Sequence, residues 1–174
     1  PSLYYYSHIA YVYGSYQTAL DGFEKLKTDE KFSAIVPYYM AQIYYLQGRY
    51  AEVPQFASLL TSNDEITNQT DINLLIGDSY YRLGKYQEAV PYLEKYDLKA
   101  TTTRAYDYEL GNAYFKSRMF EKAIKLLDRT TRIKDTMAQF AYYQIGQSYL
   151  GLNQPIPARA AFEEAAKYSF RADI

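Results

Sequence analysis

Apolar residues in this chain recur at steps of three and four, the spacing of one face of an α-helix. Tyr106, Leu110 and Tyr114 share one such face; Ala123, Leu127 and Thr130 share another. Polar breaks interrupt the pattern, and they are of two kinds. YGSY (13–16), LQGRY (46–50), RLGKY (82–86), KSRMF (116–120) and GLNQP (151–155) are tight turns between paired helices. TDEK (28–31), TSNDEITNQTD (61–71), KATTT (99–103) and RIKDT (132–136) separate one pair from the next. Helices are predicted over 2–13, 17–28, 35–47, 51–61, 71–83, 87–98, 105–117, 121–132, 138–150 and 156–168. Gly14, Gly48 and Gly84 suit left-handed helix ends. Thr61, Ser62, Asn63 and Asp64 are natural turn and cap formers. Pro54, Pro91 and Pro157 are placed in or near first turns, where a missing N–H matters little.

The pairs are copies of one unit. In LGNAYFKSRMFEKAIKLL, Gly111 is followed three residues on by Tyr114, twelve on by Ala123 and then by Leu127. Gly77, Tyr80, Ala89 and Leu93 repeat this, as do Gly146, Tyr149, Ala158 and Phe162. Looser copies run through Ala41, Tyr44, Val53 and Ala57, and through Ser7, Ala10, Ala19 and Phe23. The small residues at 7, 41, 77, 111 and 146 are 34, 36, 34 and 35 apart. Close helix crossings need a small residue, so a bulky side chain at Gly77, Gly111 or Ala123 should overpack. Tyr44, Tyr80, Tyr114 and Tyr149 are expected to fill the gap opposite. No single unit buries both its faces, so the array is stable only as a stack.

The unit resembles the tetratricopeptide repeat: a small residue, an aromatic three later, and A-x3-F in a second helix. The resemblance covers nearly the whole chain as repeats 1–33, 34–69, 70–103, 104–138 and 139–174. It departs from the family at the Trp position (Leu3, Pro37, Asn73, Asp107, Tyr142) and at the closing Pro (Lys31, Glu65, Thr101, Asp135, Phe170). It implies an all-α, right-handed superhelical solenoid of about five helix-turn-helix repeats in a single domain. VPYYMAQIYYLQGRYAEV (36–53) also resembles segments of long tetratricopeptide proteins of bacterial cell envelopes, which implies a periplasmic or envelope location.

In the family, first helices line a concave groove, and the resemblance carries three rows of this chain into it. Three before the small residue stand Tyr4, Tyr38, Leu74, Tyr108 and Tyr143. One after it stand His8, Gln42, Asp78, Asn112 and Gln147; four after it stand Tyr11, Tyr45, Tyr81, Phe115 and Leu150. Arg82 and Lys116 follow the last row. The rows form one stripe, two aromatic rails flanking a hydrogen-bonding one. Aromatic rings give rigid contact area, and side-chain amides suit a peptide backbone. The expected function is a non-catalytic scaffold binding a protein or peptide segment in that groove. Two alternatives stay open: a cell-envelope glycan or peptidoglycan module, since tyrosines also stack on sugar rings, and a structural spacer whose tyrosines are packing. The family's carboxylate clamp is disfavoured, because its Lys position holds Tyr4 and Tyr38.

Composition narrows the choice. A net charge of -1 argues against broad nucleic-acid binding, and no apolar run approaches a membrane span of about 20 residues. The chain has no cysteine, and His8 is its one histidine, so no metal site, cofactor or Ser-His-Asp arrangement is expected. No Gly-rich phosphate loop appears. Glu163 and Glu164 are adjacent, diverge on a helix and read as solvated surface. Charge is uneven: residues 50–81 carry five acidic and no basic residues, whereas 104–134 carry eight basic and four acidic. This reads as solvated faces or as complementary docking patches. The chain begins with Pro1, which suggests an excised piece of something longer. Its last helix presents Ala161, Ala165 and Tyr168 with no following cap, so that face is expected to be covered by more chain of a longer protein or by another molecule, as in self-association.

Overall fold

The computed structural model describes residues 2–61, 68–97 and 102–168. Every regular element among them is helical, and the chain divides into two compact units, Pro1–Lys85 and Tyr86–Ile174. The first unit holds α1 (Ser2–Val12), α2 (Tyr16–Glu24), α3 (Val36–Leu46), a 3-10 helix η1 (Tyr50–Phe56), α4 (Ala57–Thr61) and α5 (Gln69–Arg82). The second holds α6 (Tyr86–Asp97), α7 (Arg104–Lys116), α8 (Phe120–Thr130), α9 (Thr136–Gly151) and α10 (Pro155–Ala166). Within each unit the helices pack on their neighbours in sequence: α1 on α2, α2 on α3, and α7 on α8, α8 on α9, α9 on α10. First helices of successive repeats also meet, α3 with α5 and α7 with α9. This is the tetratricopeptide-repeat solenoid fold.

The five tight turns are built alike. Gly14, Gly48 and Gly84 are left-handed, with φ of 77°, 72° and 71°. Arg118 and Asn153 take the same conformation, with φ of 61° and 58°, although both carry a Cβ. In each turn the next N–H bonds back to a carbonyl five residues earlier: Ser15 to Ala10, Arg49 to Tyr44, Lys85 to Tyr80, Met119 to Tyr114 and Gln154 to Tyr149. These bonds satisfy carbonyls that a helix end otherwise leaves open.

The small residues are contact sites. A Cβ added at Gly111 would lie 2.9 Å from Leu127, and one at Gly146 would lie 2.6 Å from the Phe162 ring. In the first repeat the pair is reversed in kind: Ser7 faces Gly22, whose added Cβ would sit 1.9 Å from Ser7 Oγ.

Four expectations are corrected. The helix predicted over 17–28 ends at Glu24; residues beyond it form turns, with Asp29 Oδ1 accepting from the Lys31 N–H at 2.9 Å. The helix predicted over 51–61 is η1 followed by α4, because Pro54 supplies no N–H and disfavours α geometry at Val53. Pro91 stands in the second turn of α6, and the helix runs through it. Ala161 and Ala165 on the last helix are buried, so they are not the free face; the strongly exposed apolar residue of α10 is Ile156. The predicted cap formers Ser62, Asn63 and Asp64 lie outside the described residues. Observed side-chain caps are Thr103, accepting from Tyr106 N–H, and Asp135, accepting from Ala138 N–H. No described helix is long and apolar enough to cross a membrane.

Candidate functional site

The first-helix faces of the first unit bring several predicted residues together. Tyr11 on α1 donates its hydroxyl to Gln42 Oε1 on α3 at 3.0 Å. Tyr45 on α3 donates to Asp78 Oδ2 on α5, and Arg82 donates from Nε to the same oxygen at 2.6 Å. The Arg82 guanidinium also lies over the rings of Tyr50, at 5.1 Å, and Tyr45, at 5.7 Å. The hydrogen bond to Asp78 raises the Arg82 pKa, so its charge is held firmly. Burial and the bond to Asp78 push the Tyr45 hydroxyl up to about 12. Asp78 is only 5% exposed and its charge is answered locally. Arg82 is exposed and has further guanidinium donors beyond Nε. Gln42 accepts through Oε1, which leaves its Nε2 group to donate.

A hollow of about 140 Å³ opens here, lined by Tyr11, Gln42, Tyr45, Leu46 and Leu75. A wider one, about 800 Å³, lies among α2, α3, η1 and α4, with Pro37, Met40, Tyr44 and Phe56 in its wall and no predicted site residue.

The row three before the small residue behaves differently. Tyr4 stacks on Phe32 with ring centroids 4.5 Å apart, and burial with bonding to Tyr39 pushes its hydroxyl up to about 12. Tyr38 is buried at 8% exposure. Tyr143 leans on Phe162 of α10, 5.7 Å between centroids. These rings are at least partly packing. His8 is likewise held between rings, stacked with Tyr4 at 6.0 Å and edge-on to Tyr39 at 5.0 Å.

In the second unit Asn112 is buried and its Oδ1 accepts from Gln144 Nε2 at 2.8 Å. Gln144 Oε1 is buried with no partner among the described residues, an acceptor left over. Tyr108, Phe115 and Gln147 are half-buried and Lys116 is exposed, its Nζ 5.7 Å from the Phe115 ring. Burial raises the Tyr108 pKa. Tyr81 is half-buried on α5.

Sequence reasoning missed Tyr39, Leu75 and Gln144, all two residues before the small position, and Tyr50. The signal was available. Each of the three stands one helical turn before a residue already on the stripe: Tyr39 before Gln42, Leu75 before Asp78, Gln144 before Gln147.

A family model described as "Anaphase-promoting complex, cyclosome, subunit 3" matches residues 3–96, and two models described as "Tetratricopeptide repeat" match 74–138 and 141–170. The chain belongs to the tetratricopeptide-repeat family, its first half to the branch that the subunit 3 model describes. Among solved structures it is similar to YrrB, described as a TPR protein with an unusual peptide-binding site, at 16% identity and a TM-score of 0.76, covering 98% of this chain and 87% of that one. It is also similar to MamA, labelled AMB-1, at 17% identity and 0.73, covering 99% and 93%. A second MamA structure gives 19% identity and 0.68, covering 97% and 94%. These likenesses show the fold. No curated protein matches the chain.

Proposed function

We propose that the chain is a non-catalytic protein-interaction scaffold that holds an extended segment of a partner protein against its first-helix faces. Family and fold are those of interaction modules. The observation that carries the finer reading is the Tyr11–Gln42 and Tyr45–Asp78–Arg82 pairing beside the 140 Å³ hollow. Half-buried rings there offer apolar contact, while the Gln42 amide and the Arg82 guanidinium offer donors to backbone carbonyls or an acidic side chain. In the second unit the half-buried Gln147 and the exposed Lys116 offer further polar groups to such a segment. The peptide-binding site described for YrrB, a protein of the same fold, supports the same reading.

The test is selection of peptides from a random library on the wild-type chain, followed by titration of the best binder against Gln42→Ala/Arg82→Ala. Arg82 is exposed and Gln42 half-buried, and a thermal melt of the double variant checks that the fold survives. Affinity should fall by about tenfold or more, the equivalent of two hydrogen bonds. Failure to select any peptide, or equal affinity of the double variant, overturns the reading. A selected preference for glycan fragments over peptides would point to the envelope-glycan alternative.

A further inference from the structure

The basic excess over residues 104–134 resolves onto one helix face. Lys122, Lys125 and Arg129 stand at i, i+3 and i+7 on α8. Arg118 in the turn before and Arg132 in the turn after continue the same alternation of four and three. All five are exposed, while the side of α8 turned to the core supplies Ala123, Leu126, Leu127 and Thr130. Lys122 pairs with Glu94 at 2.7 Å. Among the described residues the other four make no ion pair, although Glu121 and Asp128 lie one turn before Lys125 and Arg132. By contrast, Lys27, Arg49, Arg82, Arg104, Arg159 and Lys167 each have a carboxylate within 2.8 Å.

Arg118 adds an independent observation. It occupies the left-handed turn position that Gly14, Gly48 and Gly84 fill in the first three repeats. That conformation disfavours a residue with a Cβ, yet here it carries a cation at the head of the row. At the other end Ile133 is 57% exposed, an apolar contact beside Arg132.

We infer that the outer face of α8 is a docking surface for an acidic helix of a protein partner. The cations recur about every 5.4 Å, one helical turn. A helix with Glu or Asp at i, i+4, i+7 and i+11 presents anions at the same repeat and stays in register along the row. An extended strand presents same-side residues about every 6.8 Å and drifts out of register. Single-stranded nucleic acid is met by aromatic platforms, and the nearest ring on α8, Phe120, is half-buried. Membrane-surface helices insert an apolar face, and that face of α8 is in the core. None of these cations belongs to the Tyr11–Gln42 and Tyr45–Asp78–Arg82 site.

The test uses fluorescence anisotropy with an alanine-based helical peptide of about fifteen residues carrying Glu at i, i+4, i+7 and i+11. A peptide of the same composition with its glutamates out of register, a single-stranded oligonucleotide and phosphatidylserine vesicles run in parallel. Lys125→Glu/Arg129→Glu should weaken the in-register peptide by about tenfold or more; Lys125→Gln/Arg129→Gln should do so less, and replaces it if the reversal unfolds the chain. Lys25→Glu/Lys31→Glu, the same charge change elsewhere, should leave binding intact. Equal binding of the out-of-register peptide, an unchanged affinity on reversal, no peptide binding at low salt, or tighter binding of oligonucleotide or vesicles through Lys125 and Arg129 would each overturn the inference.

Discussion

The two units reach the same repeat by different packing. The first is built on rings: Phe23 stacks on Tyr39 with centroids 5.5 Å apart, and Tyr4 stacks on Phe32 while touching Tyr39 and His8. Its fourth helix is broken at Pro54, and α2, α3, η1 and α5 start without a side-chain cap bond. The second buries more Leu and Ala between its helices, sets Gly111 against Leu127 and Gly146 against the Phe162 ring, and adds side-chain caps on α7 and α9 and a polar clamp. In that clamp Arg104 donates to both Asp135 oxygens, at 2.5 and 2.7 Å, and to Thr130 O at 2.7 Å. Asp135 stands where the family has its closing Pro and caps α9 as well. The repeat prescribes turn and crossing positions, while the filling between helices is free to vary.

That contrast has measurable consequences, the largest in the cores. Phe23 is fully buried and shares its face with Tyr39, so Phe23→Ala should cost about 4 kcal/mol, against about 3 for Leu127→Ala. Chemical denaturation measures both, and a Phe23→Ala loss smaller than that of Leu127→Ala breaks the comparison. Next comes Gly146→Val, whose Cβ meets the Phe162 ring at 2.6 Å; the expected loss is about 2–3 kcal/mol, read as a fall in Tm.

The clamp is a smaller effect and is sensitive to pH. Hydrogen bonding to Arg104 holds Asp135 down at about 2, below its ordinary 3.8. A carboxylate depressed in the folded state stabilises above its unfolded pKa, and that stabilisation is lost as pH falls from about 4 toward 2. With the Asp135 side chain 40% exposed, solvent screening leaves about 1 kcal/mol. Arg104→Ala should therefore lower Tm at pH 7 and flatten its acid dependence over that window; an unchanged slope removes the clamp from the account. The smallest effect has the opposite sign. Arg118→Gly relieves a left-handed residue and should stabilise by about 0.5–1 kcal/mol, whereas Gly84→Ala should destabilise by a similar amount. If Arg118→Gly gives no gain in Tm, the turns of the two units are not equivalent.

Much of the fold was legible because small residues and turns repeat in register. The spacing of Ser7, Ala41, Gly77, Gly111 and Gly146 is also the spacing of the five left-handed residues, so even Arg118 and Asn153 fall in turns located without a glycine to mark them. Helix ends were less legible. Pro54 announced the break in the second repeat, but nothing local told that α2 closes at Glu24. The site was legible as helix faces and not as contacts. Tyr11, Gln42, Tyr45, Asp78 and Arg82 were each named from their row, yet their mutual bonds depend on how far neighbouring first helices approach. The same dependence hid Tyr39 and Gln144, and it buried Tyr38 and Asn112, residues expected to be open. Periodicity within one repeat carries no record of the angle to the next.

The most direct test of the scaffold reading is an amide chemical-shift map of the labelled chain with and without its best library-selected peptide. The reading predicts shifts concentrated on the first helices, at Tyr11, Gln42, Tyr45 and Asp78 in one unit and at Gln144 and Gln147 in the other. Shifts confined to second helices such as α2 and α10, with those amides unmoved, would contradict it.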